Sequence, residues 1–268
     1  MQADLDNKAI VITGASEGIG RALALNLAAR PVRLVLAARN RERLQALADD
    51  CGRLGAQAIA VPTDVTDPAQ CEAMIAQAVE HFGGVDVLVA NAGATMWSRF
   101  DELEDLSILE RIMAVNYFGA VYCTRAALPW LKRARGRIVA VASVAGLTGV
   151  PSRSGYCATK HAMVGFFDSL RIELADDGVS VTVIAPDFVV SEIHRRALGA
   201  DGLPLGETPM QESKIMTADR CAELIVDAAA RRQRLLITSA RGRLGRWLKL
   251  IWPGLIDRIA RRAIEQRH

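Results

Sequence analysis

Ala9-Ile10-Val11-Ile12-Thr13 runs directly into Gly14-Ala15-Ser16-Glu17-Gly18-Ile19-Gly20, and this junction decides the fold. The first five residues are nearly all apolar and β-branched, which suits a strand buried on both faces. The glycines that follow permit a tight turn, and an amphipathic stretch begins at once. Strand, glycine turn and helix in that order mark the start of an α/β unit. A glycine-rich run of this kind is also compatible with a plain tight loop.

Outward from this junction the pattern repeats. Short apolar runs at 32–36, 58–61, 85–90, 137–142 and 179–184 read as further strands, with a last short one at 235–238. Between them, residues 18–30, 40–54, 67–82, 103–132 and 155–175 suit helices. An otherwise helical stretch near 188–231 is interrupted by a Gly/Pro-rich loop at 199–209. Alternation of this kind, with near-continuous strand hydrophobicity, predicts a parallel sheet covered by helices on both faces. No linker or internal repeat divides the chain. The expectation is one domain over 1–240, with a substrate loop at about 188–216 and a separate extension at 241–268.

Composition narrows the functional classes. Of the 268 residues, 51% are hydrophobic, enough for a large core. The acidic start, Met1-Gln2-Ala3-Asp4-Leu5-Asp6, reads against a secretory leader. The longest charge-free stretch, 138–152, is short for a bilayer and is broken by Gly146, Gly149 and Pro151. Five cysteines without CxxC spacing fit a reduced, cytoplasmic chain. Four scattered histidines form no metal-ligand motif. The net charge of +3 conceals an asymmetry: residues 241–268 hold eight Arg/Lys against Asp257 and Glu265, so they carry +6 and the rest −3. The body therefore lacks the basic face expected of a nucleic-acid binder.

The turn at Gly14, Ser16, Glu17, Gly18, Ile19 and Gly20 is a candidate dinucleotide cradle. Its glycines let the backbone approach a pyrophosphate, whose charge is favoured at a helix N-terminus. The end of the second strand chooses the cofactor. A carboxylate there suits the ribose 2′-OH of NAD(H), and a cation suits a 2′-phosphate. Ala37-Ala38-Arg39-Asn40-Arg41 holds two arginines and no acid, which favours NADP(H) through Arg39 and leaves NAD(H) possible. The same arginines also fit a solvated helix start, and Glu17 would repel the phosphate. Asp64 and Val65 end the third strand, and Asn91, Ala92 and Gly93 end the fourth, where ligands bind in open sheets. Ordinary turns would use the same residues.

Tyr156 and Lys160 stand one helical turn apart, so their side chains share a face about 5–6 Å apart. A free phenol has a pKa near 10 and is a poor base at neutral pH. A cation about 4 Å away, at an effective dielectric of about 20, offers roughly 4 kcal/mol toward its anion, before desolvation is subtracted. Such a pair also arises by chance. Ser143 ends the fifth strand close to the helix that carries Tyr156, where a hydroxyl can bond a substrate oxygen. Asn116, a poor helix former inside a long helix, either orients a water with its amide or marks a kink.

The set Thr13–Gly20, Asp64, Asn91-Ala92-Gly93, Asn116, Ser143 and Tyr156-x-x-x-Lys160, in this order, resembles the short-chain dehydrogenase/reductase family to about residue 240. The resemblance implies a single Rossmann-type doubly wound sheet. It also implies hydride transfer between a nicotinamide and a carbonyl or secondary-alcohol carbon. By the same resemblance, Tyr156 exchanges the proton, Lys160 lowers its pKa and holds the nicotinamide ribose, Ser143 steadies the reacting oxygen, and Asn116 supports the relay. Pro186 and Val189 flank the nicotinamide. Where the family usually has Pro-Gly, this chain reads Pro186-Asp187-Phe188, which places a carboxylate beside the nicotinamide. Pro151-Ser152-Arg153-Ser154-Gly155-Tyr156 and the stretch from Phe166 to Arg171 resemble the hydroxysteroid-dehydrogenase-like branch, which includes reductases of lipophilic ketones.

Phe188, Val189, Ile193, Leu198, Leu203, Leu205 and Met210 make the substrate region lipophilic, unless they pack a loop onto the core. In the tail, Trp247, Leu248, Leu250, Ile251, Trp252, Leu255, Ile256 and Ile259 interleave with Arg246, Lys249, Arg258, Arg261 and Arg262, and Pro253-Gly254 splits two short amphipathic helices. Such a pair suits peripheral membrane contact. Burial against its own body or a second subunit, in a homodimer or homotetramer, is the competing expectation. A catalytically silent NADP-binding scaffold acting through this tail is the alternative to the enzyme. A nucleotide-sugar epimerase or dehydratase is a more distant one.

Overall fold

The computed structural model describes residues 5–265, with side chains to residue 261. Residues 1–4, part of the stretch read against a leader, lie outside the described residues, as do residues 266–268 of the basic tail.

Strands β1 (Ala9–Thr13), β2 (Arg33–Ala38), β3 (Gln57–Pro62), β4 (Val87–Ala90), β5 (Arg137–Val141), β6 (Ser180–Ala185) and β7 (Leu235–Ile237) form one sheet among the described residues. All pair parallel, in the order β3-β2-β1-β4-β5-β6-β7. The helices are α1 (Gly18–Ala28), α2 (Arg41–Arg53), α3 (Pro68–Phe82), α4 (Ser107–Met113), α5 (Gly119–Ala134), α6 (Ser154–Glu173), α7 (Ala218–Ala230), α8 (Ala240–Ile251) and α9 (Pro253–Glu265).

Alternation along β1 builds both halves of the core. Ile10 and Ile12 pack with Leu23 and Leu27 of α1 and Ile225 of α7. Val11, facing the other way, joins Met74 of α3, Ala127 of α5 and Phe167 of α6. A strand buried on both faces needs apolar residues at every position, which is why β1 reads as a continuous run. The sheet is doubly wound, with its strand order turning between β1 and β4.

The structure departs from the sequence reading in two places and, in a third, narrows the alternatives that reading left open. The helix expected at 103–132 begins at Ser107, because the Asp105 carboxylate accepts from the Ser107 backbone N–H at 2.8 Å and from its hydroxyl at 2.7 Å. Between α4 and α5 a π-helical turn, Ala114–Phe118, carries Asn116 into the interior, where it is fully buried. Such turns tend to mark functional sites.

Secondly, the stretch near 188–231 is irregular up to Thr217, and only α7 is helical apart from one short 3-10 turn. Pro204, Pro209 and the positive φ of Gly202 and Gly206, 76° and 78°, interrupt any helix there. The segment instead lies across the carboxyl edge of the sheet, through isolated bridges Val189↔Met216 and Met96↔Leu198.

Thirdly, the aromatics of the tail are not buried on its own body. Trp247, Leu250, Ile251 and Trp252 are 64–76% exposed. Only the opposite side of α8 is fastened down: Lys249 Nζ donates to the Leu147 carbonyl at 3.0 Å and Arg243 to that of Ile237 at 3.1 Å. Among the described residues no helix is long and apolar enough to cross a membrane.

Candidate active site

A cavity of about 950 Å³ opens at the carboxyl ends of the strands, where the sheet order turns. Asn91 builds its floor. The Nδ2 of Asn91 donates to the carbonyls of Thr13 at 2.9 Å and Gly14 at 3.2 Å. In return, Thr13 Oγ1 accepts from the Asn91 and Ala92 backbone N–H groups at 3.0 and 3.1 Å. The ends of β1 and β4 are thereby fixed to each other. Within the turn, a Cβ added at Gly20 would stand 2.3 Å from the Gly14 carbonyl oxygen, so only glycine lets α1 approach this closely. Gly14 and Gly18 adopt φ of 65° and 52°, which glycine tolerates without strain.

Gly14, Ser16, Glu17, Gly18 and Ile19 line the cavity, while Gly20 packs behind them. The first turn of α1 has no side-chain cap, so its N–H groups are left to the cavity. This cradle, a glycine-only approach below an open helix N-terminus, fits a pyrophosphate. Asp64, Val65, Ala92 and Gly93 continue the wall. Asp64 also accepts from the Thr66 backbone and hydroxyl, at 3.0 and 2.8 Å, so it forms the turn as well as lining the site.

Arg39 lies exposed on the rim, and Arg43 stands beside it on α2. Glu17, the acid expected to repel a phosphate, is held between Arg43 at 3.0 Å and Arg196 at 2.7 Å. Its charge is matched by two cations. Sequence reading missed both arginines. Arg43 was findable: the Asn40 side chain accepts from the Arg43 N–H at 2.8 Å and caps α2, placing residue 43 at the same edge as Arg39. Arg196, 179 positions from Glu17, left no local signal.

Ser143, Tyr156 and Lys160 line the opposite part of the same cavity. Tyr156 is 7% exposed, and Lys160 Nζ stands 5.7 Å from the centre of its ring. The ammonium nitrogen donates to the Val141 carbonyl at 2.9 Å. Burial, reinforced by the nearby Arg153 guanidinium, pulls Lys160 down from the usual lysine value to about 7. Ser143 Oγ accepts from Ala145 N–H at 3.1 Å, which places it at the first turn after β5. Asn116 does not line the cavity. Its Oδ1 accepts from Ala94 N–H at 2.7 Å, and its Nδ2 donates to the Ala94 carbonyl at 2.9 Å and Thr159 Oγ1 at 2.8 Å. The side-chain amide thus ties the turn after β4 to α6.

Arg153, a cation that sequence reading took only as part of a motif, is buried here. Its guanidinium lies 4.2 Å from the centre of the Tyr156 ring and donates to Thr95 Oγ1 at 2.6 Å. Pro186, Phe188, Val189, Ile193 and Leu198 supply the apolar wall. Leu203 is 64% exposed and Met210 is buried outside the cavity, so only part of the expected lipophilic set faces it. Asp187, in the position the family gives to glycine, turns its carboxylate toward the start of the tail. It accepts from Ser239 Oγ at 2.6 Å and from Arg241 Nε and Nη2 at 2.5 and 2.7 Å.

A doubly wound parallel sheet with a glycine cradle at its switch point and a Tyr/Lys/Ser wall beside it defines a nicotinamide-dependent oxidoreductase. The family profile described as short chain dehydrogenase matches residues 8–200, and the chain belongs to that family. It is 35% identical over 261 residues to the 11-beta-hydroxysteroid dehydrogenase 1A of Arabidopsis thaliana, covering 95% of this chain and 74% of that protein. Identity to the dehydrogenase/reductase SDR family member 7B of Mus musculus is 34%, covering 99% and 84%. A solved short chain dehydrogenase/reductase from Burkholderia phymatum, in complex with NAD, superposes with a TM-score of 0.84 at 29% identity, covering 94% of this chain and 96% of that one. The protein is an NAD(P)-dependent oxidoreductase acting on CH–OH and C=O groups, in the hydroxysteroid-dehydrogenase-like branch.

Proposed function

We propose that this chain interconverts a lipophilic ketone and its secondary alcohol, using NADP(H). One observation carries the reading: Tyr156, Lys160 and Ser143 share a single cavity with the glycine cradle, and Phe188, Val189, Ile193 and Leu198 make its mouth apolar. The bound nicotinamide supplies or accepts the hydride. In reduction, the Tyr156 hydroxyl gives its proton to the carbonyl oxygen, and the C=O becomes CH–OH. The Ser143 hydroxyl donates to that same oxygen as negative charge gathers on it. Lys160, as ammonium, stabilises the phenolate left behind and binds the nicotinamide ribose. Asn116 acts by holding the Gly93–Ala94 turn against α6. Oxidation runs these steps in reverse.

Arg39 and Arg43 support a 2′-phosphate, since two cations at the β2 edge favour it over a bare hydroxyl. The test is turnover of NADPH and NADH with a panel of lipophilic ketones. Tyr156→Phe is expected to cut turnover about 10²–10⁴-fold while NADPH binding survives. Arg39→Asp should weaken NADPH relative to NADH about 10–100-fold. Undiminished turnover in the first variant would overturn the proton role. An unmoved cofactor ratio in the second would overturn the phosphate contact.

A second reading concerns the tail. The exposed Trp247, Leu250, Ile251 and Trp252 beside Arg246 and Lys249 support peripheral contact of 241–268 with an anionic membrane, from a cytoplasmic body that ends near residue 240. In a silent scaffold this contact would be the whole function, and the Tyr156→Phe comparison separates the two. Assembly as a homodimer or homotetramer belongs to the same reading. Exposed Phe118, Leu106 and Ile172 offer contact surface for it.

A further inference from the structure

The body and the tail meet beside the Phe188 wall of the cavity. The Asp187 side chain is only 10% exposed, although its partner Arg241 is 64% exposed. The carboxylate receives the two parallel guanidinium bonds, the Ser239 hydroxyl, and the Phe188 N–H at 2.9 Å. The Asp187 N–H donates to Thr238 Oγ1 at 3.1 Å. Burial would raise this carboxyl, but the bonds from Arg241 and Ser239 outweigh it and hold it below the usual carboxylate range. The contact is therefore charged and closed at neutral pH.

Beyond this contact runs a stack of cations and rings. Arg241 lies 6.0 Å from the Phe188 ring centre, and Arg153 lies 5.7 Å from the same ring. Arg153 in turn faces Tyr156 at 4.2 Å. The first residues of α8 thus connect to the tyrosine through Phe188 and Arg153. At its other end, α8 grips the loop after β5 through Lys249 and the Leu147 carbonyl. Close packing reinforces the junction, since a Cβ at Gly242 would come within 3.0 Å of Val144.

We propose that Asp187 and Arg241 form a latch by which the C-terminal helix α8 positions Phe188 at the substrate mouth, making the tail a working part of the active site. This rests on the lipophilic-ketone reading above. With glycine at 187, the loop after β6 would have no carboxylate to offer the tail. Aspartate there lets Arg241 fix the loop from outside the sheet. Asp187 and Arg241 are positioning residues in this account, because they act through Phe188.

The test compares Asp187→Asn, Arg241→Gln and the double variant, with full-length protein, NADPH and a lipophilic ketone. Each single change is expected to raise the ketone KM about tenfold, with a smaller fall in kcat, as befits loss of a charge-assisted pair. The double variant should be no worse than either single one, because both remove one contact. Hydrogen exchange at the 188–190 amides should quicken in all three, and thermal melting checks that each folds. If Asp187→Asn fails to fold, Arg241→Gln and Ser239→Ala carry the comparison. Additive KM effects, or an unmoved KM and unmoved exchange in folded Arg241→Gln, would overturn the latch. If the unaltered protein reduces no ketone, the lipophilic-ketone reading fails by itself, and exchange at 188–190 still decides whether the latch exists.

Discussion

Lys160 shows how one residue carries an electrostatic cost for function. Its ammonium has left water for a site beside Arg153, so the folded chain releases this proton near pH 7 while the unfolded chain keeps it until about 10.5. Between these values the unfolded state binds more protons, and stability rises with pH. Below pH 7 both states are protonated and the folded one bears the full burden. In the absence of cofactor, the protein should therefore gain stability relative to Lys160→Met as pH climbs from about 7 to 10. Chemical denaturation at a series of pH values reads the difference directly, and a constant gap would contradict the burial argument. The sequence showed this residue because a helical turn fixes its relation to Tyr156. Arg153 was hidden for the opposite reason: its contact with the tyrosine ring depends on how a loop folds before α6, and no spacing rule encodes that.

At the level of elements, agreement was closest where burial forces a pattern. The inner runs that became β1, β2, β4, β5 and β6 are buried over nearly all their length and therefore mostly apolar, so their places could be read within a residue or two. Edge strand β3, half-exposed, was found from its short Ala/Ile/Val core. The segment from Phe188 to Thr217 misled because its scattered apolar residues imitate a helical stripe. They serve instead to line a cavity edge and bridge to Met96. The approach of α1 to the glycine turn gives a test at this scale. Gly20→Ala places a methyl 2.3 Å from the Gly14 oxygen and 2.7 Å from Asn91 Nδ2, so the helix must retreat. The expected cost is about 1–3 kcal/mol in stability, together with weaker NADPH binding. Gly52→Ala, inside α2 and facing open space, should instead be neutral or gain up to about 1 kcal/mol. Equal melting of the two variants would show that the close approach is not limiting.

The whole molecule is electrically lopsided, with the surplus of positive charge in its last 28 residues, 241–268. Basic residues flanking exposed tryptophans favour a negatively charged, apolar-cored surface over a neutral one. Liposome flotation should recover the protein with phosphatidylserine vesicles and far less with phosphatidylcholine alone. Added salt should weaken the binding. Trp247→Ser with Trp252→Ser should abolish it while leaving Arg241 in place. If those substitutions instead change the size of the protein in solution and leave flotation intact, the face belongs to a second subunit.

The strand order also sets a timetable for a nascent chain leaving the ribosome. β1, β2 and β3 can pair once about the first quarter has emerged, but one flank of β1 stays bare until β4 arrives, more than seventy residues after β1 ends. From then on each later strand adds beside the one just laid down, so growth proceeds in a single direction from β4, while β3 keeps the opposite edge of the sheet. A chain that stalls with between 62 and 87 of its residues emerged would hold β1, a strand destined for burial on both faces, open to unwanted pairing, which makes this interval the point of greatest need for a chaperone.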